Sequence, residues 1–252
     1  MGSALSRTNR GQRRADDLIQ GMTQAAYDEI AEWYEHTFLA DQHASAGGQG
    51  ADPLGIRKAL DVLLSEGHGP CLDIGCGTGV FAGQVRGLGW DPVGVDLSGQ
   101  MLRYAVGRLP VARADGTALP IRDASMAAAV AVMVHTDMPD YPAVVGEVAR
   151  VLRPGGRFVH VGVHPCFCGG FADRGDPDAV VIRPGYGEPH WTTASWTKRG
   201  LRDKVGASHL PLPELLRTFT ENGLVLDDFM EGGGPTPTVF AVRAHRLPAA
   251  TS

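Results

Sequence analysis

The stretch Leu72-Asp73-Ile74-Gly75-Cys76-Gly77-Thr78-Gly79 decides how this chain is read. It follows Gly69-Pro70-Cys71 and runs into Val80-Phe81-Ala82. An apolar run ending in an acid, then glycines at alternate positions, then a helical pattern spell a strand, a tight turn and a helix start. Glycine admits left-handed backbone and leaves no Cβ between the chain and a ligand. The amides of a helix start face whatever sits in the turn. Two other phosphate-binding loops fit poorly. Val80 stands where G-x-G-x-x-G needs its last glycine, and the G-K-[ST] ending of a P-loop is absent.

Downstream, Pro92-Val93-Gly94-Val95 reads as a second strand with Asp96 at its tip. The interval from the first glycine is about the 20 residues that place an acid on ribose hydroxyls in a βαβ unit. A carboxylate suits a vicinal diol because it accepts two hydrogen bonds. Ser98 is the expected cap of a helix carrying Met101, Leu102 and Ala105. Val111 to Asp115-Gly116 reads as a third strand, with Asp115 either a ligand-binding acid or a turn residue before glycine. Met126 to Val134 is a continuous Ala/Val run, as in a strand buried on both faces of a parallel sheet. Tyr141 to Leu152 has helical spacing, Arg153-Pro154-Gly155-Gly156 stops it, and Arg157 to Val163 is a fifth strand.

In series, these segments resemble the class I S-adenosylmethionine-dependent methyltransferases over residues 70–163, of the small-molecule type and an actinobacterial-like branch. D-x-G-x-G-x-G looks like their motif I, A-D-G-T-A-L-P like their adenine-contacting segment, and V-L-R-P-G-G-R-F-V like their signature before the fifth strand. The resemblance implies S-adenosyl-L-methionine as cofactor, with Asp73, Gly75 and Gly77 in the cradle. It implies Asp96 on the ribose, Leu97 and Met101 flanking the adenine, and Asp115 and Gly116 at its edge. Met133, beside the end of the fourth strand, completes the implied cofactor set. Tyr27-Asp28-Glu29-Ile30-Ala31-Glu32-Trp33-Tyr34 resembles the family's N-terminal cap helix. Tyr27 is then expected over the cofactor and Tyr34 toward the substrate. The implied fold is α/β: a three-layer, Rossmann-like seven-stranded sheet with its last strand antiparallel, a cap helix, and a lid inserted after the fifth strand.

The 252 residues suit one elaborated domain. The expected parts are a flexible tail (1–20), the cap helix and linker (21–50), the cofactor core (51–163), the lid (164–210) and a C-terminal part of the core (211–252). No apolar run reaches the roughly 18 residues of a spanning helix, and the polar, Arg-rich start is unlike a secretory signal. Four cysteines without framework spacing point to a reduced, cytoplasmic protein. A net charge of −5 argues against a nucleic-acid substrate. The expected partner is a small-molecule acceptor, with no membrane, no metal and a monomer or homodimer.

Residues 164–210 exceed the short connection the core requires, and they are rich in aromatics, Gly and Pro. Phe167, His190, Trp191 and Trp196 are candidate substrate contacts, although the aromatics could equally form a core of the lid itself. Arg199 and Arg202 read better as exposed helix charge than as carboxylate binders. His135 and His164, just past the ends of adjacent central strands, are the candidate general bases because histidine titrates near neutral pH. The expected reaction is methyl transfer to an aromatic or polycyclic hydroxyl or carbon in specialised metabolism. The alternatives are a cofactor-dependent cyclisation or rearrangement without methyl transfer, and a non-catalytic regulator.

Overall fold

The computed structural model describes residues 27–40, 52–176, 178–195 and 200–248. The expected tail, the linker at 44–50, Trp196 and Arg199 lie outside them. Seven strands form the central sheet: β1 (Gly69–Ile74), β2 (Trp90–Asp96), β3 (Val111–Arg113), β4 (Met126–Val132), β5 (Leu152–Val163), β10 (Leu224–Gly232) and β11 (Val239–Arg246). Their order is β10-β11-β5-β4-β1-β2-β3. β11 runs antiparallel to both neighbours, and the pairs from β5 to β3 are parallel.

The sheet is covered on both faces, as parallel strands require. Ala129 and Ala131 of β4 pack with the helices Tyr141–Val151 and Leu212–Glu221, through Val144, Val145, Val148 and Leu215. Ala128 and Val130 face the helix Ile56–Leu64 through Leu60, Leu63 and Leu64. This alternation is why β4 reads as an unbroken apolar run. Ser98 caps the helix Gly99–Ala105 as expected, its hydroxyl accepting from the Met101 amide.

The cap helix occupies residues 27–40 and widens into a π-helical turn at Tyr34–Phe38. Its stripe of Tyr27, Ile30, Tyr34 and Phe38 packs on Leu201 and Val205 of a short lid helix, Leu201–Val205. The rest of the lid pairs β6 (Ala172–Asp173) with β7 (Val181–Ile182) and β8 (His190–Thr192) with β9 (Ala207–His209). No helix among the described residues is long and apolar enough to cross a membrane.

Candidate active site

The strand order reverses between β1 and β4, and the crevice beyond the carboxyl ends of strands at such a point is where open α/β sheets hold ligands. The glycine turn lies there. Gly75 and Gly77 have φ of +63° and +54°, in the left-handed region that glycine enters without strain. A Cβ on Gly75 would stand 2.8 Å from Val134 Cγ1, and one on Gly77 3.4 Å from Met101 Cε. The turn is therefore a cradle that side chains at these positions would crowd.

Two acids face this cradle. Asp96 takes an amide hydrogen from Gly77 on Oδ2 and one from Ser98 on Oδ1, each at 2.8 Å. The carboxylate thus ties the turn to the next helix start and still has acceptor capacity for a diol. Burial raises its carboxyl, while the two amides oppose that rise. Asp73 is 2% exposed, and its Oδ2 has no hydrogen-bond partner. Burial, reinforced by Asp96, pushes its carboxyl up to about 7. A buried oxygen without a partner and a second acid beside glycine amides fit a ligand with cationic and diol groups, as S-adenosylmethionine has.

The other cofactor candidates lie around this frame. Met101 is buried, while Leu97 and Gly116 are partly so. Asp115 is exposed, and its Oδ1 accepts from the Thr117 amide and hydroxyl, each at 2.8 Å, which is the turn role. Met133 holds φ +59°, rare without glycine and worth about 1–3 kcal/mol of strain. Its amide donates to the Val161 carbonyl at 2.7 Å, and the bend brings Val134 against Gly75.

Tyr27 hydrogen-bonds Asp137, and Asp137 pairs with Arg202. Arg202 is 5% exposed, so the reading of it as exposed helix charge is corrected: the lid helix turns it inward onto a buried acid. Burial raises the Asp137 carboxyl, and Arg202 and Tyr27 counter that rise. Burial first, then Asp137, pushes the Tyr34 hydroxyl up to about 12, so it stays protonated. Its ring lies edge-on to Tyr27 and stacks on Phe38.

A narrow recess with room for about one water-sized molecule lies next to this cluster, lined by His135, Thr136, Cys168, His190, Ser208 and His209 among others. His135 is 5% exposed, and burial, aided by His160, Arg202 and His209, drives its basicity well below the ordinary histidine value. It is therefore neutral near pH 7. His164 points elsewhere, contrary to its expected place facing the cleft. Its Nδ1 accepts from the Cys166 amide at 3.1 Å, and its Nε2 meets Glu231 at 2.9 Å. Phe167 packs on the His164 ring at 4.7 Å, away from the recess lining. Trp191 covers Gly206, where a Cβ would stand 2.3 Å from its ring, so Trp191 serves the packing of the lid. Of the expected substrate contacts among the described residues, His190 alone lines the recess, 5.1 Å from the His209 ring.

Three groups escaped sequence reasoning. Asp28 accepts from the Ser98 hydroxyl and the Gln100 amide, docking the cap helix on the helix beside the cradle. Asp137, in the turn after β4, pairs with Arg202 of the lid and hydrogen-bonds Tyr27 of the cap. His160, in the middle of β5, is fully buried against Tyr141. A histidine at an apolar position of a core strand was the available signal, since buried polar side chains require partners.

Residues 72–160 match the protein-family profile described as a methyltransferase domain. The chain is 34% identical over 126 residues to the O-methyltransferase cnsE of Penicillium expansum, covering 44% of this chain and 45% of that protein. It is 36% identical over 120 residues to a demethylmenaquinone methyltransferase of Thermus thermophilus, covering 44% and 54%. The chain thus spans about half the length of the curated relatives it matches. Among solved structures, an S-adenosylmethionine-dependent methyltransferase from Mesorhizobium loti aligns with a TM-score of 0.64 at 24% identity, covering 75% of this chain and 96% of that one.

Proposed function

We propose that the chain is a class I S-adenosylmethionine-dependent methyltransferase that moves a methyl group from S-adenosylmethionine to a hydroxyl or carbon of a small, aromatic or polycyclic acceptor; the methyltransferase-domain match over residues 72–160 supports this reading. The observation that carries this reading is the nearness of the glycine cradle and the histidine-lined recess at one point of the sheet. Val134 packs on Gly75 of the cradle, and its neighbour His135 lines the recess.

Bound cofactor supplies an activated methyl whose leaving group is a neutral thioether. What remains for the protein is to bind, to align and to exclude water. Asp73, Gly75, Gly77, Asp96, Leu97 and Met101 would hold the cofactor, with Asp115 and Gly116 at its far edge. Tyr27 and Tyr34 would close over it from the cap. His135 and His190 would meet the acceptor, and the Asp137–Arg202 pair would keep cap and lid together while they do so. The O-methyltransferase and demethylmenaquinone methyltransferase likenesses support a small-molecule acceptor.

The test incubates the full chain with S-adenosylmethionine and a panel of phenols, enols and quinols, and reads methyl gain by mass spectrometry. Methylated product that disappears with His135→Ala supports the reading. Tight cofactor binding with a rearranged, unmethylated product would replace it with the cyclisation alternative.

A further inference from the structure

His160 of β5 is fully buried, and its Nδ1 lies 2.7 Å from the Tyr141 hydroxyl. Among the described residues that ring nitrogen is the one acceptor the Tyr141 hydroxyl reaches, so the O–H donates to it. Burial pushes His160 down to about 3, so the ring is neutral. A neutral imidazole has one N–H and one lone pair. With its lone pair on Nδ1, His160 carries its hydrogen on Nε2. That Nε2 is buried without a partner, and so is Nδ1 of His135. The two ring centroids are 4.9 Å apart. Both nitrogens converge on Gly162: a Cβ there would stand 2.7 Å from His160 Nε2 and 2.4 Å from His135 Nδ1. Two orphaned buried ring nitrogens side by side, the His160 one carrying a hydrogen, with a glycine making room for both, are placed for a hydrogen bond between them.

We propose that Tyr141, His160 and His135 form one hydrogen-bonded row across Gly162 that fixes His135 as its Nε2–H tautomer. His160 and Tyr141 are positioning residues in this row, and His135 is the end that meets the recess. The inference rests on the methyltransferase reading only for what His135 then does. As an Nε2–H donor it binds an oxygen lone pair and has no lone pair left for an acceptor proton. The matching acceptor is an acidic phenol or enol, whose oxygen is already anionic near neutral pH and needs no protein base.

The row is tested without any ligand by long-range ¹H–¹⁵N correlation on the ¹⁵N-histidine-labelled full chain, with His135→Gln assigning the His135 signals. The expected pattern is a protonated, pyrrole-type Nε2 and a pyridine-type Nδ1 on His135. Tyr141→Phe keeps the ring and removes the hydroxyl, and it should convert that pattern to a tautomer mixture. A protonated Nδ1 on native His135 overturns the proposal, as does an unchanged pattern in a folded Tyr141→Phe. Should that variant not fold, the native spectrum decides alone. Failure to bind S-adenosylmethionine with the row intact would sink the methyl-transfer reading and leave the row standing.

Discussion

Asp73→Asn removes a buried charge that the ligand-free protein carries at a cost. The native carboxyl moves from 3.8 to about 7 on folding. At about 1.4 kcal/mol per pH unit, that disfavours the folded anion by about 4 kcal/mol. The sign follows from linkage. With a folded value raised above the unfolded one, the favourable contribution of the protonated acid is complete below about pH 4 and is lost as pH rises to about 7. Asparagine does not titrate, so its own desolvation cost is the same at every pH. The stability of Asp73→Asn relative to native should therefore climb by about 3 kcal/mol between about pH 5 and about pH 8, and level off above about pH 7. Urea unfolding of both proteins at closely spaced pH values measures this directly. The same variant should bind S-adenosylmethionine more weakly, since the acid is offered to a cationic ligand. A stability difference that stays flat with pH would refute the reasoning, because Asp73 would then not be an uncompensated buried acid.

Two further substitutions separate the cradle from the closure. Gly77→Ala should cost roughly 1–2 kcal/mol, because φ +54° is left-handed and the new methyl meets Met101; thermal unfolding reads the loss, and cofactor affinity should fall with it. Arg202→Met should cost about 3–5 kcal/mol by leaving Asp137 buried and unpaired, and adding Asp137→Leu should restore most of that in a double-mutant cycle.

The half of the fold around the glycine turn was legible because its signals are local. Gly75 and Gly77 must be glycine for backbone reasons that act within a few residues, and Asp96 sits at a fixed distance along one βαβ unit. The β4 run and the Ser98 cap carry their signals in short windows for the same reason. The lid half was not legible, because its contacts join distant segments. Arg202 looks like an ordinary helix charge until the lid folds it onto Asp137, 65 residues away in sequence. His164 and Phe167 share a segment with the recess lining, yet the turn after β5 aims His164 at Glu231 and Phe240 and packs Phe167 on the His164 ring. Trp191 has the surface for stacking on a ligand, but the bare Gly206 beneath it gives that face to the lid. His160 went unnoticed because alternation along β5 predicts an apolar side chain there, and its partner Tyr141 is helical and 19 residues upstream.

Calorimetric titration of the native chain and of Asp96→Ala with S-adenosylmethionine and S-adenosylhomocysteine tests the central claim most directly. The account predicts micromolar binding of both ligands by the native protein and loss of binding in the variant, with the variant still folded. Absence of binding by the native chain, or equal binding by both proteins, would contradict it.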